Sequence, residues 1–324
     1  MPPEGMKTAM SSRQRGSPVH GWIVLDKPFD VTSTEAVARV KRALDARKAG
    51  HAGTLDPLAT GVLPIALGEA TKTVALLHEA QKSYRFTARW GQRTDTDDAE
   101  GKIIAESSVR PSPVDIERAL AGFVGEIDQV PPIFSAIKIG GERSYDRARR
   151  GDKVVLEPRR VTIYDAQLVG VPDADHAEIE IVSGKGAYVR ALARDLAEAL
   201  GTVAHASQLR RSRVGPFRES DAISLDIVEE FGHSGAAFEH LRPVETALDD
   251  IPALAVTGHD AQRLRRGQAV MLTRGQLEKA CDEPTVYAAF GSRAVALGEV
   301  RDGQFHPTRV FNLPIKGKID VDYE

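Results

Sequence analysis

The chain has 324 residues, 42% hydrophobic and 27% charged, which is the composition of a soluble globular protein long enough for one large domain or two ordinary ones. No uninterrupted apolar run approaches the roughly 18 residues of a membrane span, and the single cysteine, Cys281, cannot close an internal disulfide, so a reducing cytoplasm is the expected compartment. A net charge of -3 speaks against a uniformly basic surface, yet Lys138 to Arg160 carries eight basic residues against four acids, Lys185 to Arg218 seven against two, and Glu219 to Asp250 one against nine. Blocks of this kind fit a polyanion-binding face offset by an acidic segment, and equally fit solvated surface charge.

In chain order, residues 1–18 mix Pro, Ser, Gly, Lys and Arg without an apolar centre and read as a disordered extension. His20 to Leu25 suits a buried strand. Thr32 to Glu35 has capping-box spacing, with Val37, Val40 and Leu44 forming the apolar stripe of the helix behind it. Ser83 to Trp90 alternates as a half-buried strand, with Tyr84, Phe86, Ala88 and Trp90 on one side. Ser112-Pro113 reads as an N-cap and first helical residue ahead of Ile116, Leu120 and Phe123. Residues 131–160 have paired prolines, paired glycines and many charges, and read as a mobile basic excursion.

Strands are expected at Val161 to Leu168 and Ala177 to Val182. Val189, Leu192, Leu196 and Leu200 then mark a helix closed by Gly201. The acidic stretch reads as a boundary. From about Pro252 short strand signals (ALAVT, VYAAFG, AVALGEV, TRVFN) surround an Arg-rich helix near Gln262 to Arg266 and predict a small, mainly β second domain. The whole is an α+β chain without internal repeats.

Phosphate-loop, dinucleotide, H-E-x-x-H and cysteine-cluster motifs are all missing, so the sequence gives no support to kinase, dehydrogenase or metalloenzyme chemistry, and no metal or cofactor is expected. The densest motif-like stretch is Gly50 to Pro64 (GHAGTLDPLATGVLP). Its glycines imply close turns or close approach. Asp56 stands directly before Pro57, a pattern that serves either as a helix cap or as a carboxylate held in a Gly-lined cleft for nucleophilic or base chemistry.

The run HAGTLDPLATGVLPIALGEATK, preceded by GWIVLDKPFDVTS and followed by KSYRFTARWGQRTDTDDAEG, closely resembles the TruB family, bacterial tRNA pseudouridine synthases that act on the T-loop uridine at position 55. VPPIFSAIKIGGERSYDRARRG, GAYVRALARDLAEALG and LRRSRVGPF continue the resemblance in the family's order, over roughly residues 20 to 218. Two departures are mild: Asp30 replaces a frequent glycine in the K-P-x-G-x-T-S turn, and GAYVR replaces GTYIR.

The resemblance implies a pseudouridine synthase fold over residues 19–248, a mixed, largely antiparallel sheet with flanking helices and a central cleft. It implies an RNA-gripping insertion at about 133–160 and a PUA-type β-rich RNA-binding domain over 249–324. It makes Asp56 the catalytic carboxylate for breaking the N1 to C1′ glycosidic bond, turning the base and rejoining it through C5. Tyr84 matches the active-site tyrosine, an aromatic platform for a flipped base. Arg190 matches the arginine that pairs with the catalytic Asp. Tyr188 is expected in the same pocket and His51 against displaced nucleotides, while Lys27 and Pro28 shape the cleft wall. The expected partner is the T-arm stem-loop of tRNA, with no membrane, no obligatory protein partner and a monomeric enzyme. Arg263, Arg265 and Arg266 share one helical turn and are expected to meet phosphates. Two other classes use the same residues: a non-catalytic RNA-folding protein on this scaffold, and a small-molecule isomerase or lyase.

Overall fold

The computed structural model describes residues 16–135, 137–152, 154–231 and 236–314. Most of the expected N-terminal extension, residues 1–15, lies outside these; Ser17 pairs with Ala46 and its hydroxyl donates to Asp45 at 3.0 Å. Among the described residues no helix is long and apolar enough to cross a membrane.

The main sheet runs in the order Ile223–Ser224, Gly21–Lys27, Thr60–Leu67, Ala204–Val214, Lys82–Trp90, His176–Ser183, Arg159–Asp173, Gly125–Gln129. Gly21–Lys27 with Ile223–Ser224, and Thr60–Leu67 with Ala204–Val214, are parallel neighbours; the other contacts along this order are antiparallel. A mixed, largely antiparallel sheet with flanking helices is therefore the observed fold class. Alternation assigns its faces. Ile23, Leu25, Leu63 and Ile65 pack against Ala36 and Val40 of helix Ser33–Ala43 and against Val228. Phe86, Ala88 and Trp90 pack against Leu192 and Leu196 of helix Val189–Ala199.

Local signals placed the helices well. The Thr32 hydroxyl accepts from Glu35 N at 3.1 Å, Ser112 caps Pro113–Ala121 with Pro113 in its first turn, and Gly201 follows helix Val189–Ala199 with φ +69. The excursion is more ordered than its composition suggests. It contains a small hairpin, Lys138–Ile139 with Glu142–Arg143, and a helix, Ser144–Arg149. Pro131, Pro132, Ser135, Ile137, Ser144 and Val154 are buried and anchor it.

The second sheet, in the order Ala253–Ala255, Val286–Phe290, Arg293–Arg301, Gln304–Val310, Val270–Met271, is the expected β-rich module. It shares a core with the body: Ala294, Leu297, Phe311 and Leu313 pack with Trp22, Val24, Phe217 and Leu248. Glu69 accepts from Asn312 N at 2.7 Å, and Lys72 donates to Val310 O at 2.7 Å. Two of the three arginines expected to meet phosphates are half-buried and bonded to backbone. Arg263 donates to Ala269 O at 3.0 Å and Arg265 to Leu313 O at 2.6 Å, leaving Arg266 as the exposed one.

Gly61 is one position where the body tolerates no side chain. Its φ is +98, and a Cβ there would lie 2.2 Å from the carbonyl oxygen of Arg211 on the neighbouring strand. Gly61→Ala is expected to destabilise the protein by about 3 kcal/mol or more, since a rigid backbone clash adds to the strain of positive φ. Denaturant melts of wild type and variant check this, and matching midpoints would contradict it.

Candidate active site

The motif stretch that opens with Gly50 forms a short strand, Ala49–His51, then a loop, then strand Thr60–Leu67. No helix follows Pro57, so the capping reading of Asp56 fails; Asp56 O instead accepts from Ala59 N at 3.1 Å in a tight turn. The loop is clamped from two sides. Ser33 Oγ donates to Leu55 O and accepts from Leu55 N, both at 2.9 Å. The Lys27 ammonium, fully buried, donates to Pro28 O, Val31 O and Pro57 O at 2.9, 2.6 and 3.0 Å. All three of its N–H groups are thus used on backbone, and burial pulls its pKa down to about 8. The expected wall-shaping role of Lys27 and Pro28 takes this form. Asp30 donates its N–H to Pro57 O at 3.0 Å with φ +60, a left-handed conformation that Gly adopts freely and Asp tolerates.

Asp56 opens onto a cleft of about 340 Å3 lined also by Tyr84, Tyr188, Arg190, Lys82 and Arg211. That volume is within the range of small-ligand sites. Arg190 enters from the first turn of helix Val189–Ala199, where Tyr188 is the N-cap residue. Its Nε lies 3.0 Å from an Asp56 carboxylate oxygen. The N–H is not aimed along that line, so the contact is an ion pair rather than an aligned hydrogen bond. Both terminal nitrogens are engaged: Nη1 donates to Thr96 O at 2.9 Å and Asp98 Oδ2 at 3.1 Å, and Nη2 to Phe134 O at 2.9 Å. Arg190 is 5% exposed, whereas the Asp56 side chain keeps 42% of its surface. A buried fork thus presents a carboxylate to open space.

One helical turn on, Arg194 repeats the arrangement, pairing with Asp97 and Asp195, both at 2.8 Å, and donating to Val130 O at 2.7 Å. Burial raises the pKa of Asp97 against the pull of Arg194 and Arg93. The two arginines, four apart on one helix, lock the Thr94–Asp98 loop behind the cleft. Asp98 was not singled out from the sequence; its signal was the acidic run DTDD facing two arginines at helical spacing.

Tyr84 sits opposite Arg211 in the strand register, at the cleft end of the apolar row Phe86, Ala88, Trp90. Tyr188 is held by a reciprocal pair with Gln129, whose Oε1 accepts from Tyr188 N at 2.8 Å while its Nε2 donates to Tyr188 O at 3.1 Å. Burial pushes the Tyr188 phenol up. His51 does not line the cleft. It lies on the strand paired with Ile65, with a buried, unpartnered Nδ1, and burial together with the nearby Arg211 lowers its pKa. Two cleft residues that the sequence did not mark are Lys82 and Arg211. Arg211 is 1% exposed and donates to Val62 O at 2.8 Å and Gly53 O at 3.0 Å.

The charge blocks change meaning in three dimensions. Of the basic residues between Lys185 and Arg218, Arg190, Arg194 and Arg211 are buried, and Arg210 is bound by Asp26 and Glu219. In the excursion, Arg150 pairs with Glu142 and Asp152. Among the described residues no group of three or more His, Cys, Asp or Glu is placed to hold a metal ion.

Family models match most of the body: the N-terminal domain of the TruB family of pseudouridylate synthases over residues 41–189, and the tRNA pseudouridylate synthase B C-terminal domain over residues 190–249. The chain is 55% identical over 309 residues to a tRNA pseudouridine synthase B of Caulobacter vibrioides, covering 94% of this chain and 100% of that protein. It is also 55% identical over 300 residues to the tRNA pseudouridine synthase B of Bradyrhizobium diazoefficiens, covering 91% and 86%. Among solved structures, a Cbf5-Nop10-Gar1 complex aligns with a TM-score of 0.65 at 28% identity, over 86% of this chain and 78% of that one. An H/ACA RNP bound to a substrate RNA containing 2'-deoxyuridine shares the fold, with a TM-score of 0.68 at 24% identity over 95% and 93%. With Asp56, Arg190 and Tyr84 meeting in one cleft and with matches of this length, the chain belongs to the TruB family of pseudouridylate synthases.

Proposed function

We propose that this enzyme isomerises the T-loop uridine at position 55 of tRNA to pseudouridine, acting alone, as a monomer, in the cytoplasm. The observation that carries the reading is the Asp56–Arg190 pair, a carboxylate open to the cleft and held at 3.0 Å by a guanidinium that is itself fixed by Asp98 and two backbone carbonyls. The flipped uridine enters the cleft and stacks on Tyr84, which stabilises the extruded base by about 1–3 kcal/mol. Asp56 assists cleavage of the N1–C1′ bond. The uracil turns, C1′ bonds to C5, the C5 proton leaves and N1 is protonated, so the reaction balances without a redox partner or group donor.

Tyr188 shapes the same pocket. His51, outside the lining, meets nucleotides displaced with the target. The excursion around 133–160 and the module from 249 onward, proposed as PUA-type, grip phosphates and leave specificity to the shape of the T-arm. The 55% relatives named tRNA pseudouridine synthase B support the tRNA substrate.

The test is to map pseudouridine in unmodified tRNA after incubation with the pure protein; modification at position 55 is expected, and no modification overturns the reading. In the same assay with a folded T-arm stem-loop, exhaustive EDTA is expected to leave the rate unchanged. A rate restored only by one specific divalent ion would contradict metal-free chemistry.

A further inference from the structure

Besides Arg190, which pairs with Asp56, three buried cations surround the loop that carries Asp56, and they are not equivalent. Lys27 spends all three N–H groups on carbonyls and does not line the cleft. Arg211 lines it, but its Nε and Nη2 are held by Val62 O and Gly53 O, and the guanidinium also hydrogen-bonds the Tyr84 side chain. Lys82 is 7% exposed, lines the cleft, and donates to only two acceptors among the described residues, His78 O and Ala80 O, both at 2.7 Å. An ammonium has three donors, so one remains unspent.

That donor has no carboxylate paired with it among the described residues. Among the described residues neither Lys82 nor Arg211 has a carboxylate within ion-pair distance, and Glu79, the acid that acts on Lys82 electrostatically, is taken by Lys185 at 2.6 Å. A buried cation without a counter-charge is costly. Burial and Arg211 lower the pKa of Lys82 to about 8, with Glu79 opposing them. The wall next to Tyr84 is thus positive: Arg211 meets the Tyr84 phenol rather than a carboxylate, and the third N–H of Lys82 has no protein acceptor among the described residues. Lys82 precedes Tyr84 by two residues on one strand, so both side chains face the same way. Its depth suits the base rather than a backbone phosphate, which stays near solvent at the mouth.

We propose that the unspent N–H of Lys82 donates to a carbonyl oxygen of the flipped uracil and stabilises the negative charge that spreads over the ring as the glycosidic bond breaks. This rests on the reading of the cleft as the isomerisation site. When N1–C1′ cleaves, the electron pair stays with the ring, and the charge reaches O2 and O4 before C5 bonds to C1′. A fixed donor aimed at developing charge acts in the transition state more than in the bound ground state.

The test combines Lys82→Met and Lys82→Gln with T-arm RNAs that carry uridine, 2-thiouridine or 4-thiouridine at the target position, read as single-turnover rates at saturating RNA. Sulfur is the weaker acceptor. Lys82→Met is expected to slow the uridine reaction on the order of 100-fold with RNA affinity nearly unchanged. One of the two thio substitutions is expected to slow wild type and to have little further effect in Lys82→Met. Lys82→Gln keeps a neutral donor for the helix carbonyls, so it carries the same comparison if the Met variant folds poorly. A variant at the wild-type rate, or thio effects equal in wild type and variants, would overturn the proposal and leave Lys82 as a cap on helix Val74–Glu79. A wild-type protein that forms no pseudouridine in the uridine RNA would overturn the reading of the site itself, and this inference with it.

Discussion

Asp56→Asn is expected to lower the isomerisation rate by about four decades, roughly 5.5 kcal/mol of transition-state stabilisation, while T-arm RNA binds nearly as before. The amide copies the carboxylate's shape but carries no negative charge, so the glycosidic bond loses the group that assists its cleavage. Little change in stability should accompany the loss, because the Asp56 side chain is 42% exposed and its contact with Arg190 is poorly aligned. Single-turnover rates, RNA affinity and a thermal melt of the same preparation check all three. A variant that retains a tenth of the wild-type rate on saturating RNA would remove Asp56 from the chemistry.

Arg190→Met is expected to cost both activity and fold. Its guanidinium joins Asp56, Asp98, Thr96 O and Phe134 O, so it ties the Asp56 loop to the Thr94–Asp98 loop and the start of the excursion. With side-chain exposures of 6% and 12%, Arg190 and Asp98 form a buried pair, and removing one partner of such a pair costs about 3–5 kcal/mol. At roughly 2–4 °C per kcal/mol for a chain of this size, the melting temperature should fall by about 10 °C. Arg190→Lys separates the two effects. It keeps the charge but replaces a planar fork of five donors with one ammonium, which cannot span carboxylates and carbonyls on opposite sides. A smaller loss of stability and a rate lower by about 100-fold or more are expected. Wild-type rates in Arg190→Lys would show that charge alone suffices and that the fork has no positioning role.

Where neighbouring residues supply the physics, sequence and structure agree. The caps at Thr32 and Ser112, the glycine after Leu200 and the alternation through Tyr84, Phe86, Ala88 and Trp90 are local, and all occur as read. Two central strands escaped that reading. Thr60–Leu67 contains Pro64, which lacks the N–H a ladder needs, and Ala204–Val214 carries Arg210, Arg211 and Arg213, which look like surface charge. Each is held in the sheet by partners far away in the chain, Gly21–Lys27 for the first and Lys82–Trp90 for the second.

The sequence by itself determined the α+β class, the order of most elements, and the residues that mark the family: Asp56, Tyr84 and Arg190, which the fold brings to one cleft. Only the tertiary structure decided which charges are interior. Arg211 is buried because Val62 and Gly53, about 150 residues earlier, offer it carbonyls; Arg194 because Asp97 offers it a carboxylate; and Asp98, bonded locally to Thr96 and Glu100, meets its counter-charge in Arg190. Removing a charge from water is compensated only by partners at hydrogen-bond distance. Those partners come from segments that no local pattern connects, so charge counts along the chain could not distinguish a phosphate-gripping surface from the ionic framework of the cleft.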